Sequence, residues 1–386
     1  MSWVNVTLGE ISTNIQTGPF GSQLHQSDYS EDGTPVVMPK DLVAGHISVQ
    51  SIARVSEDHV NRLSRHKIEV GDIIYSRRGD VGRCAFATEV EQGWLCGTGC
   101  LRVTIDRSKA IPKFVFYQLQ KSETVAWVEK HAVGATMLNL NTSILSSVPI
   151  EMPPLAEQKI IVDILSAYDN LIKNNQKQIK LLEEAAQRLY KEWFVNLRFP
   201  GYENTSIIDG VPQGWKLEAI DNVYSIKYGK NLPTTEISDT GEYPVYGASK
   251  KIGYYSQKNC DNYAVLITSR GNAGVVHRTH NKESFVTNNS FIVLPKMENL
   301  HNVFVFFQMK QLNFKSIVTG ACQQQLTNGL ISQKSVLVPT ADILTKFNAE
   351  TDSLFELIEI LLKQNECLIE TRDRLLPKLM SGEIEV

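Results

Sequence analysis

Two stretches of the chain place seam residues at alternating steps of four and three. The first runs Ile161, Leu165, Tyr168, Ile172, Asn175, Ile179, Leu182, Ala186, Leu189, Trp193. The second runs Phe347, Thr351, Leu354, Ile358, Leu361, Asn365, Leu368, Arg372, Leu375, Leu379. This is a heptad seam, narrower than the apolar stripe of an ordinary surface helix, and it predicts two long helices that pack on each other. Pro153-Pro154 introduce the first helix and Glu157 suits the positive end of its dipole. Pro377 is expected to mark where the second frays. Ahead of each helix lie short β-branched and aromatic runs, such as Asp72-Ile73-Ile74-Tyr75-Ser76 and Tyr263-Ala264-Val265-Leu266-Ile267, punctuated by Gly, Asn and Asp. These predict strands and turns with a few short helices.

The chain is written twice. Arg78-Gly79-Asp80-Val81-Gly82 recurs as Arg270-Gly271-Asn272-Ala273-Gly274, 192 residues on, and Phe116-Tyr117-Gln118-Leu119 recurs as Phe306-Phe307-Gln308-Met309, 190 on. Gly134-Ala135 with Leu140 answers Gly320-Ala321 with Leu326 at 186, as Gln178, Leu182, Glu184, Arg188 and Leu189 answer Gln364, Leu368, Glu370, Arg374 and Leu375. Trp3, Ile15 and Gly18 rhyme with Trp215, Ile226 and Gly229. A period so long means a duplicated domain-plus-helix unit, not a solenoid. The expected organisation is a globular segment 1–153, a helical segment 154–199, a linker and second globular segment 200–338, and a second helical segment 339–386. The fold class is α+β: two similar mixed α/β domains, a pair of long antiparallel coiled-coil helices, and an internal pseudo-twofold repeat.

In an antiparallel pair, facing residues have a constant sum of numbers. Pairing Asn175 with Asn365 also pairs Ile161 with Leu379, Leu165 with Leu375, Ile172 with Leu368, Ile179 with Leu361, Leu182 with Ile358, Ala186 with Leu354 and Trp193 with Phe347. A slip by a whole heptad would set each asparagine against an apolar partner. The two are therefore expected to face each other and fix register.

Composition changes the picture mainly by exclusion. With 386 residues, 42% hydrophobic and 21% charged, the chain is too long for one ordinary core and too apolar for disorder. No apolar run approaches a membrane span, and the first residues do not resemble a signal peptide. Six cysteines without Cys-x-x-Cys or zinc spacing suit reduced thiols in the cytoplasm. The net charge of −3 hides a gradient of −2, +1, +3 and −5 over the four segments, so local basic loops remain possible. There is no Walker-type phosphate loop, since Gly229-Lys230 is followed by Asn231. The only Pro-Pro opens a helix, where an amino-methyltransferase would need it after an acidic residue and before an aromatic. Glu157-Gln158-Lys159 lacks an acidic partner strand, Gly97-Thr98-Gly99 lacks a following helix, and the histidines have no ligand spacing. The residues describe a binding protein without a catalytic set, metal site or cofactor loop of its own.

Met152-Pro153-Pro154-Leu155-Ala156-Glu157-Gln158 resembles the hallmark that opens the helical regions of type I restriction–modification specificity subunits. So do Trp193-Phe194-Val195 with Phe199-Pro200 and Val211-Pro212-Gln213-Gly214-Trp215, the loop Thr17-Gly18-Pro19-Phe20-Gly21-Ser22, the segment Gly134-Ala135-Thr136-Met137-Leu138-Asn139-Leu140-Asn141, and the ending Leu376-Pro377-Lys378-Leu379-Met380-Ser381-Gly382-Glu383-Ile384. The likeness spans the whole chain. It departs in the second copy, which reads Pro339-Thr340-Ala341-Asp342-Ile343-Leu344 and Gly320-Ala321-Cys322-Gln323-Gln324-Gln325.

The resemblance implies a non-catalytic subunit for phage defence, with two target recognition domains that each read half of an asymmetric double-stranded DNA site. The helices would act as a spacer; Ile161 to Trp193 is 32 residues, about 48 Å at 1.5 Å per residue. Two methylation subunits binding S-adenosylmethionine, and restriction subunits using ATP and Mg, would supply the chemistry. Expected DNA contacts are Ser76, Arg77, Arg78, Ser269, Arg270 and Asn272 at the ends of strand-like runs, where Arg suits guanine or phosphate and Asn suits adenine. Lys40, Lys250 and Lys251 are further candidates. Alternatively, the arginines pair structurally with Asp72 or Asp80. The loop at Gly18 either offers amides to phosphate or is a tight turn over a buried Phe20.

Overall fold

The structure, a computed structural model, describes residues 3–134, 137–319 and 325–386. Ala135 and Thr136 of the first Gly-Ala motif, and Gly320 to Gln324 of the second, lie outside the described residues.

The repeat seen in the letters extends to topology. In the first copy a four-stranded antiparallel sheet has the order Ser12–Thr17, Cys100–Ile105, Ile73–Ser76, Cys84–Phe86. In the second, Tyr224–Tyr228, Ser290–Pro295, Val265–Thr268 and Val276–Arg278 stand in the same order with the same senses. A second sheet is also shared in its centre. Thr34–Val37 pairs parallel with Leu95–Cys96 and antiparallel with Ala53–Val55, as Tyr243–Tyr246 pairs parallel with Phe285–Val286 and antiparallel with Lys251–Tyr255. Each copy is closed by a two-stranded ribbon that joins its start to its end, Val4–Thr7 with Pro149–Met152 and Lys216–Ala219 with Ser335–Val338.

The recurring Phe-aromatic-Gln motif sits on the buried helices Pro112–Leu119 and Asn302–Gln311. Its glutamine has a structural job. Gln118 Nε2 donates to Glu151 O at 2.9 Å and Gln308 Nε2 to Leu337 O at 2.8 Å, tying each helix to the closing ribbon. The large majority of buried amides have such partners.

The first long helix spans Leu155–Tyr190 and continues as a π turn over Lys191–Val195; the second spans Ala341–Met380. Pro377 does not end the second helix. It lies in the last turns, where its ring costs one hydrogen bond and the helix runs on three residues to Met380. The hallmark at the first helix start is also structural. Gln158, 1% exposed, accepts from Ile111 N at 2.9 Å and donates to Pro153 O at 2.8 Å.

The chain forms two compact units, Met1–Ile172 with Cys367–Val386, and Lys173–Glu366, so both long helices are divided between them. Within each unit, numbers rise along one helix as they fall along the other. In the first, Ile161 and Leu165 share a core with Leu379, Met380, Phe114 and Leu101. In the second, Ala186, Tyr190 and Phe194 share a core with Phe347, Ile358, Phe304 and Phe291, and the Trp193 and Phe347 rings lie 5.9 Å apart. The helices are antiparallel. Asp169 explains the charged seam residue Arg372, which reaches it at 2.9 Å, while Tyr117 Oη donates to the same carboxylate at 2.6 Å and Lys113 lies 3.5 Å away. In the second unit Arg278 of the sheet reaches Glu359 of the helix at 2.6 Å and stacks over Phe355.

Candidate nucleic-acid interface

In both units the Arg-Gly-x-x-Gly segment is the turn between the third and outermost strands of the main sheet, leaving Ile73–Ser76 for Cys84–Phe86 and Val265–Thr268 for Val276–Arg278. Gly79 and Gly271 adopt φ of +75° and +85°, the left-handed region that a β-carbon disfavours. A returning segment braces each turn identically. Leu140 N donates to Arg77 O at 2.8 Å and Asn139 bridges the backbone of Arg78; Leu326 N donates to Ser269 O at 3.0 Å and Gln325 bridges Arg270. Arg78 and Arg270 thus occupy equivalent positions, both exposed.

Neither arginine is paired to a carboxylate among the described residues. Asp80 is held by Arg83 through Nε at 2.9 Å and Nη2 at 2.6 Å. Asp72, 1% exposed, faces Arg102 at 3.7 Å and accepts from Thr104 at 2.6 Å. The alternative in which Asp72 or Asp80 ties down the repeated arginine is therefore overturned: both carboxylates have other partners. Gln325 lies 3.2 Å from Nε and Nη2 of Arg270, so its amide oxygen can accept from both. Its counterpart Asn139 is one methylene shorter, and its buried Oδ1 has no hydrogen-bond partner among the described residues.

The other candidates divide. Ser76 and Ser269 are buried, with hydroxyls given to Arg78 O at 3.2 Å and Asn288 O at 3.2 Å, which makes them braces of the turns. Asn272 is exposed at the second turn, and Lys250 is exposed in its own turn. Lys40 is exposed but donates to Ser51 O at 2.9 Å. Lys251 is engaged by Glu366 at 2.7 Å and Tyr254 at 3.1 Å. Burial opposes its charge, yet these two partners hold its pKa above the ordinary lysine value. Arg77 is half-buried, its Nε without a partner among the described residues; burial first, then neighbouring Arg78, lowers its pKa below the usual guanidinium value.

The Gly18 loop corrects another expectation. Phe20 is 54% exposed, not buried, and its ring faces the Arg77 guanidinium at 5.9 Å. Glycine is required because a β-carbon at Gly18 would fall 1.9 Å from Gly97 O, as one at Gly229 would fall 2.2 Å from Thr287 O. The same position in the second unit leads to exposed Lys230 and Asn231. Sequence reasoning missed Phe20 as an exposed ring against Arg77 and Lys230 as an exposed group after the second glycine. The signal was the repeat itself, since Lys230 directly follows Gly229 and Phe20 lies two residues past Gly18.

Among the described residues no three His, Cys, Asp or Glu side chains converge as metal ligands, and no helix is long and apolar enough to cross a membrane. Five described cysteines are unpaired, and burial pushes the Cys84 and Cys96 thiols up to about 12.

The model of the type I restriction modification DNA specificity domain matches residues 1–184 and 212–364. The chain is 25% identical to the type I restriction enzyme MjaIX specificity subunit of Methanocaldococcus jannaschii, over 93% of this chain and 88% of that protein. It is 22% identical to the HindI specificity subunit of Haemophilus influenzae, over 99% of both. Its fold resembles the crystal structure of a type I restriction–modification S subunit from M. genitalium, with TM-score 0.61, 19% identity, and 98% and 96% of the two chains covered. With two family segments on two copies of one topology, the chain belongs to the type I restriction modification DNA specificity family, the specificity subunits of type I restriction–modification systems.

Proposed function

We propose that this chain reads a bipartite, asymmetric site in double-stranded DNA, one half with each unit, and directs methylation and restriction subunits to it. The observation that carries this reading is the pair Arg78 and Arg270. Each is an exposed arginine without a carboxylate partner among the described residues, on an equivalently braced turn, with different neighbours in the two units. A guanidinium so presented suits guanine O6/N7 or phosphate, and different neighbours suit two different half-sites. Lys230, Lys250 and Asn272 add exposed donors to the second unit. Chemistry is left to partners: two methylation subunits with S-adenosylmethionine, and restriction subunits with ATP and Mg, all in the cytoplasm.

The test is methyl transfer from tritiated donor to DNA. The purified chain should transfer nothing, and adding methylation subunits should bring both transfer and salt-sensitive binding of one motif. Transfer by the chain alone would establish an enzyme in its own right, and a complex that ignores DNA would leave only a structural adapter.

A further inference from the structure

An exposed phenylalanine by itself calls for no explanation. Three facts set Phe20 apart. Its backbone is braced: Gln23 N and Leu24 N donate to Phe20 O at 2.8 and 3.2 Å, while Phe20 N donates to Gln23 Oε1 at 3.2 Å. The preceding Gly18 N donates to Cys100 O at 2.9 Å, so the loop is pinned to the sheet strand that neighbours the arginine turn. Third, its ring faces Arg77, adjacent to Arg78, and no carboxylate pairs with either arginine among the described residues. A hydrogen-bonded loop thus holds a largely exposed ring against the Arg77 guanidinium, which pairs with no carboxylate among the described residues.

The second unit is built differently at this point. Gly229 N donates to Ser290 O at 3.0 Å, the counterpart of the Gly18 bond, but Lys230 and Asn231 follow where Pro19 and Phe20 stand in the first. Asn231 lies 3.4 Å from the Asn288 amide. The same place on the fold is apolar in one unit and polar in the other.

We propose that Phe20 is a specificity-determining residue of the first half-site, where its ring packs on the C5-methyl group of a thymine in the major groove. Among base edges that methyl is the apolar feature, and phenylalanine is one of the side chains that contact it. Arg77 and Arg78 then meet acceptors on neighbouring bases or phosphates, giving the two cations the partners that the protein withholds. The inference rests on the proposed DNA-reading role, and it predicts that thymine is read by apolar contact in the first half-site through a residue that the second unit lacks.

The experiment uses the chain assembled with its methylation subunits, after the methylated motif has been identified by sequencing. Duplexes carry deoxyuridine in place of each thymine of the first half-site, which deletes only the methyl group. The assembled wild type should bind one such duplex about four-fold more weakly, the weight of one buried methyl group. Phe20→Ala should bind thymine and uracil duplexes equally, with unchanged response to second half-site substitutions and an unchanged melting temperature. A first half-site without thymine, a wild type indifferent to every uracil, or a Phe20→Ala complex that still discriminates would each overturn the proposal. So would a loss common to specific and unrelated DNA. If Arg78→Ala relaxes a first half-site position while Phe20→Ala does nothing, only the thymine contact fails; if neither the wild type nor any variant selects a motif, the DNA-reading role itself fails.

Discussion

Asn175 Nδ2 donates to Asn365 Oδ1 at 3.0 Å, with both side chains more than nine-tenths buried between the antiparallel helices. Gln364 Oε1 accepts from the same amide at 3.0 Å. Replacing one asparagine leaves the other buried without its partner, a cost of about 1–3 kcal/mol. Asn175→Leu alone should therefore lower the melting temperature and loosen register. Asn175→Leu with Asn365→Leu should melt above wild type, because an apolar pair carries no desolvation cost. A double variant no more stable than the single would refute the register role.

The repeated arginines should act locally. Arg78→Ala and Arg270→Ala should each cost about 1–3 kcal/mol in binding and relax one position of the methylated motif, in different halves. Competition binding with single-base variants of the site reads this directly. Equal weakening on every sequence would mean a phosphate contact instead.

Half-sites should be separable. Exchanging residues 1–153 or 200–338 for the matching region of a relative should change one half of the methylated motif and leave the other, as methylome sequencing would record. Changes in both halves from one exchange would contradict independent units.

Mild acid should destabilise the fold through two buried histidines. In the second unit burial first, then neighbouring His280, pushes the His277 pKa down from 6.5 to about 4, outweighing the Val275 backbone, which raises it. Burial, with Arg65 and Arg102, does the same to His66 in the first unit, also to about 4. The folded state keeps these rings neutral while the unfolded chain protonates them near 6.5. Their contribution is complete above that pH and lost as pH falls toward about 4, and at pH 5 the loss for His277 is about 2 kcal/mol. Denaturant midpoints at pH 7 and 5 should differ less in His277→Gln than in wild type. An unchanged difference would count against the assignment.

The two long helices, their antiparallel sense and the duplicated units were legible because heptad spacing and a repeat are properties of order along the chain. A helix seam faces whatever shares its period, so Trp193 and Phe347 could be set together from their numbers alone. The fate of Pro377 was not legible in this way, since whether a helix survives a proline depends on what packs around its last turns.

At the candidate interface the sequence determined which residues repeat, and so drew attention to Arg78 and Arg270. Tertiary structure decided what surrounds them. Asp72 directly precedes the strand that leads into the motif yet faces Arg102, and Asp80 belongs to Arg83. Phe20, far from Arg77 in the chain, lies against it, while Lys251 is taken by Glu366, 115 residues away. Which carboxylate neutralises which cation, and which ring stays in water, depends on distances set by chain return through the sheets. One chain order admits many such pairings, and packing selects among them.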